Sequence, residues 1–343
     1  MRAAGPRAGT GTQLRSWRRS EVWMDTAVTV ECVAPEAPAA AAACGAAAER
    51  AFGWFAAVEA ACSRFAAGSE LRRLCRRPGE AVPLSPLLLR ALHLALEVAR
   101  DSDGAFDPTV GAHLEELGFA TEYRSGRATP AGLRPSAAVS WRDVHLNLHR
   151  GTATLVRPLL LDLGGLAKGL AVDLALAALD GCAGAAVEAG GDIALRGVNP
   201  DGGPWRIGIR HPRRPGALWT TLVLAQGAVC TSGDYERHGP HGRGHHLDPR
   251  AGAACAAASP GGRAAPVAAA PGEALASCTV VAPNATLADA LGTAAMVLGP
   301  GPGLRWLRRQ GVEALLLTDA LQSRQTPGWG ALQGGDGAPA AGP

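Results

Sequence analysis

Lysine is nearly missing from this chain: of its 33 basic residues 32 are arginine, and the single lysine is Lys168. Aromatic side chains are scarce as well, at 4% of 343 positions, with two tyrosines in all. No basic run is interleaved with aromatics and the formal net charge is only +3, so a nucleic-acid partner is not expected. No apolar run reaches the ~18 residues of a membrane-spanning helix. The eight cysteines (Cys32, Cys44, Cys62, Cys75, Cys182, Cys230, Cys255 and Cys278) form no CxxC pair and are irregularly spaced. In a chain this long that argues against a disulfide scaffold or a zinc ribbon, and a reducing compartment is the simpler reading. Arg18-Arg19 is followed by Glu21 and Asp25, not by the apolar stretch of a twin-arginine signal, and no lipobox-like cysteine is seen. The expectation is a cytoplasmic protein whose residues 1–22 are a disordered tail.

What remains is a globular composition, 47% hydrophobic with mean hydropathy near zero, much of it alanine. The length is ample for a buried core. Residues 24–33 alternate as a first strand, and 36–65 form an alanine-rich helix carrying Phe52, Trp54, Phe55 and Val58. Ser85-Pro86 opens a second long helix as N-cap and first-turn proline. Residues 144–148 and 152–156 read as a hairpin, and 205–210, 218–224, 228–231, 277–282 and 312–318 as strands. Residues 284–298 form a helix closed by Gly299, and 304–310 a shorter one. Residues 253–275 read as a flexible low-complexity insertion, and 326–343 as a second disordered tail. Helices and strands do not alternate in a βαβ rhythm, which points to an α+β class with a mixed, largely antiparallel sheet flanked by helices.

The stretch LDLGGLAKGLAVD, residues 161–173, holds the lone lysine beside Gly164-Gly165, and a second glycine pair, Gly190-Gly191, precedes Asp192. Glycine where an apolar run stops allows a sharp turn or a close approach to a ligand. Lysine differs from arginine where a compact charge must meet a phosphate. There is no GxGxxG and no P-loop spacing. Asp107 and Thr109 straddle Pro108, and capping of a helix start is one reading of them. Asp289 and Thr293 are four apart on one helix, so both point to one face and offer two hard oxygen donors that suit Mg²⁺. A polar stripe on a solvated helix face is the other reading. The histidines His238, His241, His245 and His246 suggest zinc less than a single base or phosphate contact, because no second cysteine stands near Cys230.

Four blocks, GAFDPTVG at 104–111, DLGGLAKGLAVD at 162–173 with AGGDI at 189–193, TSGDYER at 231–237 with HHLDPRAG at 245–252, and TVVAPNATLADALGTA at 279–294, together resemble the FAD:protein FMN transferase (ApbE) family. The resemblance implies one large domain over residues 23–325. It implies Mg²⁺-dependent transfer of the FMN half of FAD to a threonine hydroxyl of an acceptor protein, with release of AMP. It assigns Asp289, Thr293 and a carbonyl of the 165–167 turn, at Gly165, to the metal. It assigns Met24, Phe65, Phe106, Asp107, Thr109, Asp162, Lys168 and His245 to FAD, with His245 as base for the threonine proton. Alternatives are an FAD pyrophosphatase that uses water as nucleophile, and a non-catalytic FAD-binding module. Three positions depart from the family pattern: Asp25 stands for glycine, Cys75 for asparagine and Leu117 for tryptophan.

Overall fold

The computed structural model describes residues 13–121, 130–136, 138–235, 247–251 and 274–334. Its centre is an eight-stranded sheet in the order β1-β2-β6-β7-β10-β11-β12-β13. The strands are β1 (Leu14–Trp23), β2 (Thr26–Pro35), β6 (Gly184–Ala189), β7 (Asp192–Gly197), β10 (Gln226–Gly233), β11 (Leu275–Ala282), β12 (Glu313–Thr318) and β13 (Ser323–Gln325). Every neighbouring pair is antiparallel. A three-stranded sheet joins β3 (Val82–Pro83), β5 (Thr152–Leu155) and β4 (Val144–Asn147), and β8 (Trp205–Arg210) pairs with β9 (Leu218–Leu224). The α+β class with a largely antiparallel sheet holds.

Period-2 alternation sorts the large sheet into two cores. Val28, Val30 and Cys32 of β2, Cys230 of β10 and Leu316 of β12 face the helices. Val33, Leu195, Val229, Leu315 and Leu317 face away, where Trp205 and Ile207 of the β8–β9 hairpin and Trp329 cover them. On the helical side lie α1 (Pro38–Cys62), α3 (Pro86–Asp101), α5 (Ala167–Ala177) and α6 (Ala285–Leu298), with α2 (Glu70–Cys75), α4 (Gly111–Glu116) and α7 (Pro300–Arg309) completing the set. Helix α1 buries Cys44, Ala48, Phe52, Phe55, Val58 and Cys62 at helical spacing, whereas Trp54 is partly exposed. Ser85 caps α3 as expected, accepting from Leu88 N at 3.3 Å.

Three expectations need correction. Residues 14–22 are not a tail: they form most of β1, paired along its whole length with β2. Residues 326–334 are not frayed either, because Trp329 is fully buried and Thr326 Oγ1 accepts from Ala314 N at 2.8 Å. Both corrections widen the folded unit beyond 23–325. Neither Asp107 nor Thr109 caps a helix, since the residue before α4 is Val110 with no side-chain cap. The proposed insertion at 253–275 falls mostly outside the described residues, and its last residue, Leu275, opens β11.

Two hairpins end side by side. Trp23 pairs with Thr26 across the two-residue loop Met24-Asp25, and Ala189 with Asp192 across Gly190-Gly191. All four loop residues have positive φ, from 49° at Met24 to 92° at Gly191, the signature of type I′ turns. A Cβ on Gly190 would stand 2.7 Å from Thr26 Oγ1, so the second glycine pair serves both the turn and the contact between tips.

Helix α6 is fastened to α5 through one carboxylate. Asp173 accepts from Ala285 N at 2.7 Å and Thr286 N at 2.9 Å, while Asn284 accepts from Leu287 N at 2.9 Å. These bonds satisfy the otherwise orphaned first-turn amides of α6. Replacing Asp173 with alanine strands two amides and the Thr286 hydroxyl and is expected to cost about 1–3 kcal/mol, read from urea unfolding.

Candidate functional site

The lone lysine is the hinge of the site. Lys168 sits in the first turn of α5, its ammonium paired with Asp192 and 3.7 Å from Asp289 Oδ2. Asp192 opens β7 directly after the glycine turn, and Asp289 lies on the buried face of α6. Both carboxylates are almost wholly buried, at 2% and 5% side-chain exposure, so neither could stay ionised without a partner. The Gly169 amide, in the same first turn, donates to Asp289 Oδ2 at 3.4 Å. Through that amide the positive end of α5 meets Asp289. Burial first, and the Asp192 charge second, push the Asp289 carboxyl up to about 7, against the pull of Lys168 and Gly169 N. Beneath them Cys230 donates to Ala285 O at 3.5 Å, its thiol raised well above the usual value by burial and by the two acids.

Thr293 follows Asp289 by one turn of α6. Among the described residues its hydroxyl makes no hydrogen bond. A Cβ on Gly165 would stand 2.9 Å from Thr293 Oγ1 and 3.1 Å from Phe106 Cε2, so only glycine lets the 164–165 turn approach so closely. Gly165, Thr293 and Phe106 therefore meet, next to Asp289 and Lys168. An unpartnered hydroxyl, a crowded buried carboxylate and a glycine backbone form a donor set that fits a hard divalent cation.

Met24, Phe65, Asp162 and Lys168 line a common cleft, with Asp25 and Glu59 on its wall. Arg64 holds two of these residues in place. Its Nε donates to Asp162 Oδ2 at 2.5 Å, and its guanidinium lies 4.2 Å from the Phe65 ring centre. Asp162 Oδ1 accepts from Gly164 N at 2.8 Å, so one of its oxygens shapes the glycine turn while the other holds Arg64. Asp107 and Thr109 are not on the cleft wall. Asp107 accepts from Thr109 N at 2.8 Å, Thr109 Oγ1 at 2.7 Å and Trp141 N at 3.0 Å. Its carboxyl is raised by burial, and it braces the loop whose Pro108 O accepts from Asp162 N at 2.7 Å. His245 lies outside the described residues.

Sequence reasoning did not single out Asp192, Asp173 or Arg64. The signal for Asp173 was a lone carboxylate inside an apolar helix, and for Asp192 an acid at the head of an apolar strand. Arg64, 4% exposed, had no local mark at all.

The fold is shared with solved ApbE structures. The ApbE protein of Thermotoga maritima superposes with a TM-score of 0.78 at 25% identity, covering 93% of this chain and 100% of that one. The flavinyl transferase ApbE of Pseudomonas stutzeri, apo form, gives 0.73 at 25% identity over 94% and 99%. The ApbE family profile matches residues 24–260 and 264–316, and the chain belongs to that family. The FAD:protein FMN transferase of Haemophilus influenzae is 30% identical over 275 residues, 76% of this chain and 75% of the relative. That of Rhodobacter capsulatus is 31% identical over 254 residues, 70% of this chain but 44% of the relative, so this chain matches less than half of that protein's length.

Removing the ammonium should expose the cost of the cluster. Lys168→Met takes the ammonium from two buried acids and is expected to lose about 3–5 kcal/mol at neutral pH, less in acid, by denaturant unfolding. The Asp289 carboxyl also sets a pH slope. Its folded value lies above the ordinary 3.8, so the folded chain keeps a proton that the unfolded chain loses. In EDTA, stability is therefore expected to fall as pH rises from about 4 towards 7, and Asp289→Asn should flatten that slope.

Proposed function

We propose that this protein transfers the FMN part of FAD to a threonine hydroxyl of an acceptor protein, releasing AMP, with Mg²⁺ at the pyrophosphate. The observation that carries the reading is the Lys168–Asp192–Asp289 cluster at the cleft, beside the unpartnered Thr293 hydroxyl. The relatives' activity, as their names give it, agrees with it.

Phosphoryl transfer asks a protein for positioning and charge neutralisation more than for covalent help. Asp289, Thr293 and the Gly165 carbonyl would hold Mg²⁺, which when bound supplies positive charge at the pyrophosphate oxygens. Asp192 keeps the Lys168 ammonium aimed at the same place, where it meets the charge that builds on the departing AMP. Met24 and Phe65 give the cleft apolar contact for the flavin ring. The acceptor threonine oxygen attacks the FMN phosphorus, the bond from that phosphorus to the AMP oxygen breaks, and the hydroxyl proton passes to His245. Because Asp289 must shed its proton to bind a cation, Mg²⁺ affinity should rise with pH up to neutrality.

Incubation with FAD, Mg²⁺ and an acceptor protein, followed by mass spectrometry, should yield a flavin phosphodiester on threonine. Asp289→Ala should abolish it. AMP release at an equal rate without acceptor would instead identify an FAD pyrophosphatase, and bound FAD that never turns over a binding module. Lys168→Arg should lower turnover about tenfold or more while leaving FAD bound, since a guanidinium cannot occupy the pocket of a compact ammonium.

A further inference from the structure

Three cysteines that are distant in sequence converge away from the cleft. Cys32 lies on β2, Cys44 on α1, and Cys182 in the turn between α5 and β6. Their sulfurs all lie within 4.8 Å of one another, and each is a free thiol. Cys32 and Cys44 are buried at 1% and 3% exposure, whereas Cys182 is half-buried and gives the group a way in from solvent. Among the described residues no fourth cysteine, histidine or carboxylate joins them.

Burial, and then the neighbouring thiols, raise Cys32 and Cys44 above the ordinary thiol range. Reactive cysteines need electropositive surroundings that favour the thiolate, and no cation contributes to either of these two. The group is thus poorly built for nucleophilic chemistry. A soft metal ion is a ligand able to displace protons from clustered thiols, and soft thiolates select soft ions. Structural zinc requires four ligands, whereas this group supplies three. With metal–sulfur bonds of about 2.3 Å, a trigonal site holds its sulfurs about 4.0 Å apart, so the observed spacing has to contract by less than about 1 Å.

We propose that Cys32, Cys44 and Cys182 form a three-sulfur binding site for a soft, thiophilic monovalent metal ion of the Cu(I) type. Each thiol that becomes a metal–sulfur bond releases its proton to solvent, and no redox change is involved. The three cysteines tie together elements whose other ends build the cleft: β2 begins at Thr26 beside the hairpin tips, α1 ends at Cys62 on the cleft wall, and α5 opens with Lys168. Along β2 the separation from Thr26 to Cys32 is about 20 Å, so the site is distinct from the cleft. An ion there fastens the far ends of all three and stabilises the folded chain by mass action.

The test uses the full chain, reduced and desalted without oxygen, titrated with Cu(I) against a chromogenic chelator. The expected result is one Cu(I) retained per chain, with an ultraviolet sulfur-to-metal charge-transfer band, proton release and a higher Tm. Cys44→Ala and Cys182→Ser should each weaken retention by at least about tenfold, the loss that even outer-shell changes around a metal cause. Cys278→Ala should leave it unchanged. Cys182→Ser, at the half-buried position, keeps the test decisive if Cys44→Ala misfolds by circular dichroism. The proposal is overturned if the wild type retains no Cu(I), if Cys182→Ser retains as much as the wild type, or if equimolar Zn²⁺ displaces the ion.

Discussion

One ammonium between two buried carboxylates governs the arrangement of this molecule. Asp192 and Asp289 come from a strand and a helix nearly a hundred residues apart, and each would be prohibitively costly alone in a dry interior. Lys168, with the amide end of α5, makes their joint burial tolerable. When all three groups are ionised, two carboxylates face one ammonium. Burial first, and the neighbouring Asp192 charge second, explain why Asp289 holds its proton up to about 7. The Asp173 clamp fixes α6 against α5, and so fixes Asp289 against Lys168.

The hairpin tips serve the same end from the sheet side. Glycine takes the left-handed backbone region freely, but Met24 does not, and a methionine at φ 49° stores strain that the paired strands must hold. Asp25 tolerates such a conformation better than most residues, which explains how a carboxylate can stand in this turn. The pairing of β1 with β2 over ten residue pairs supplies the hold, so the edge strand matters to the cleft although few of its residues reach it.

Much of this was legible in local pattern. The helical spacing of α1, α3 and α6 and the four-residue step from Asp289 to Thr293 all survive into the structure. So do the two glycine pairs, though for different reasons: Gly190-Gly191 for backbone conformation, Gly165 for close contact. What escaped was whatever depends on partners far away in sequence. Strand β1, LRSWRRSEVW, is polar on both faces because it is an edge strand, so it has no alternation to read. Trp329 is buried only because the β8–β9 side of the sheet closes over it. Arg64 and Asp162 are 98 residues apart and recognise each other only in space. The irregular cysteine spacing conceals a convergence that the β2–β6 pairing creates.

The order of the sheet has a temporal meaning. Strands β1 and β2 lie at one edge, and β11 to β13, from the end of the chain, at the other. Helix α6, which bears Asp289, follows β11 in the last fifth of the sequence. Synthesis must therefore reach residue 289 before Lys168 can meet its second acid. Such long-range closure slows folding, because loop-closure entropy is lost before the contacts reward it.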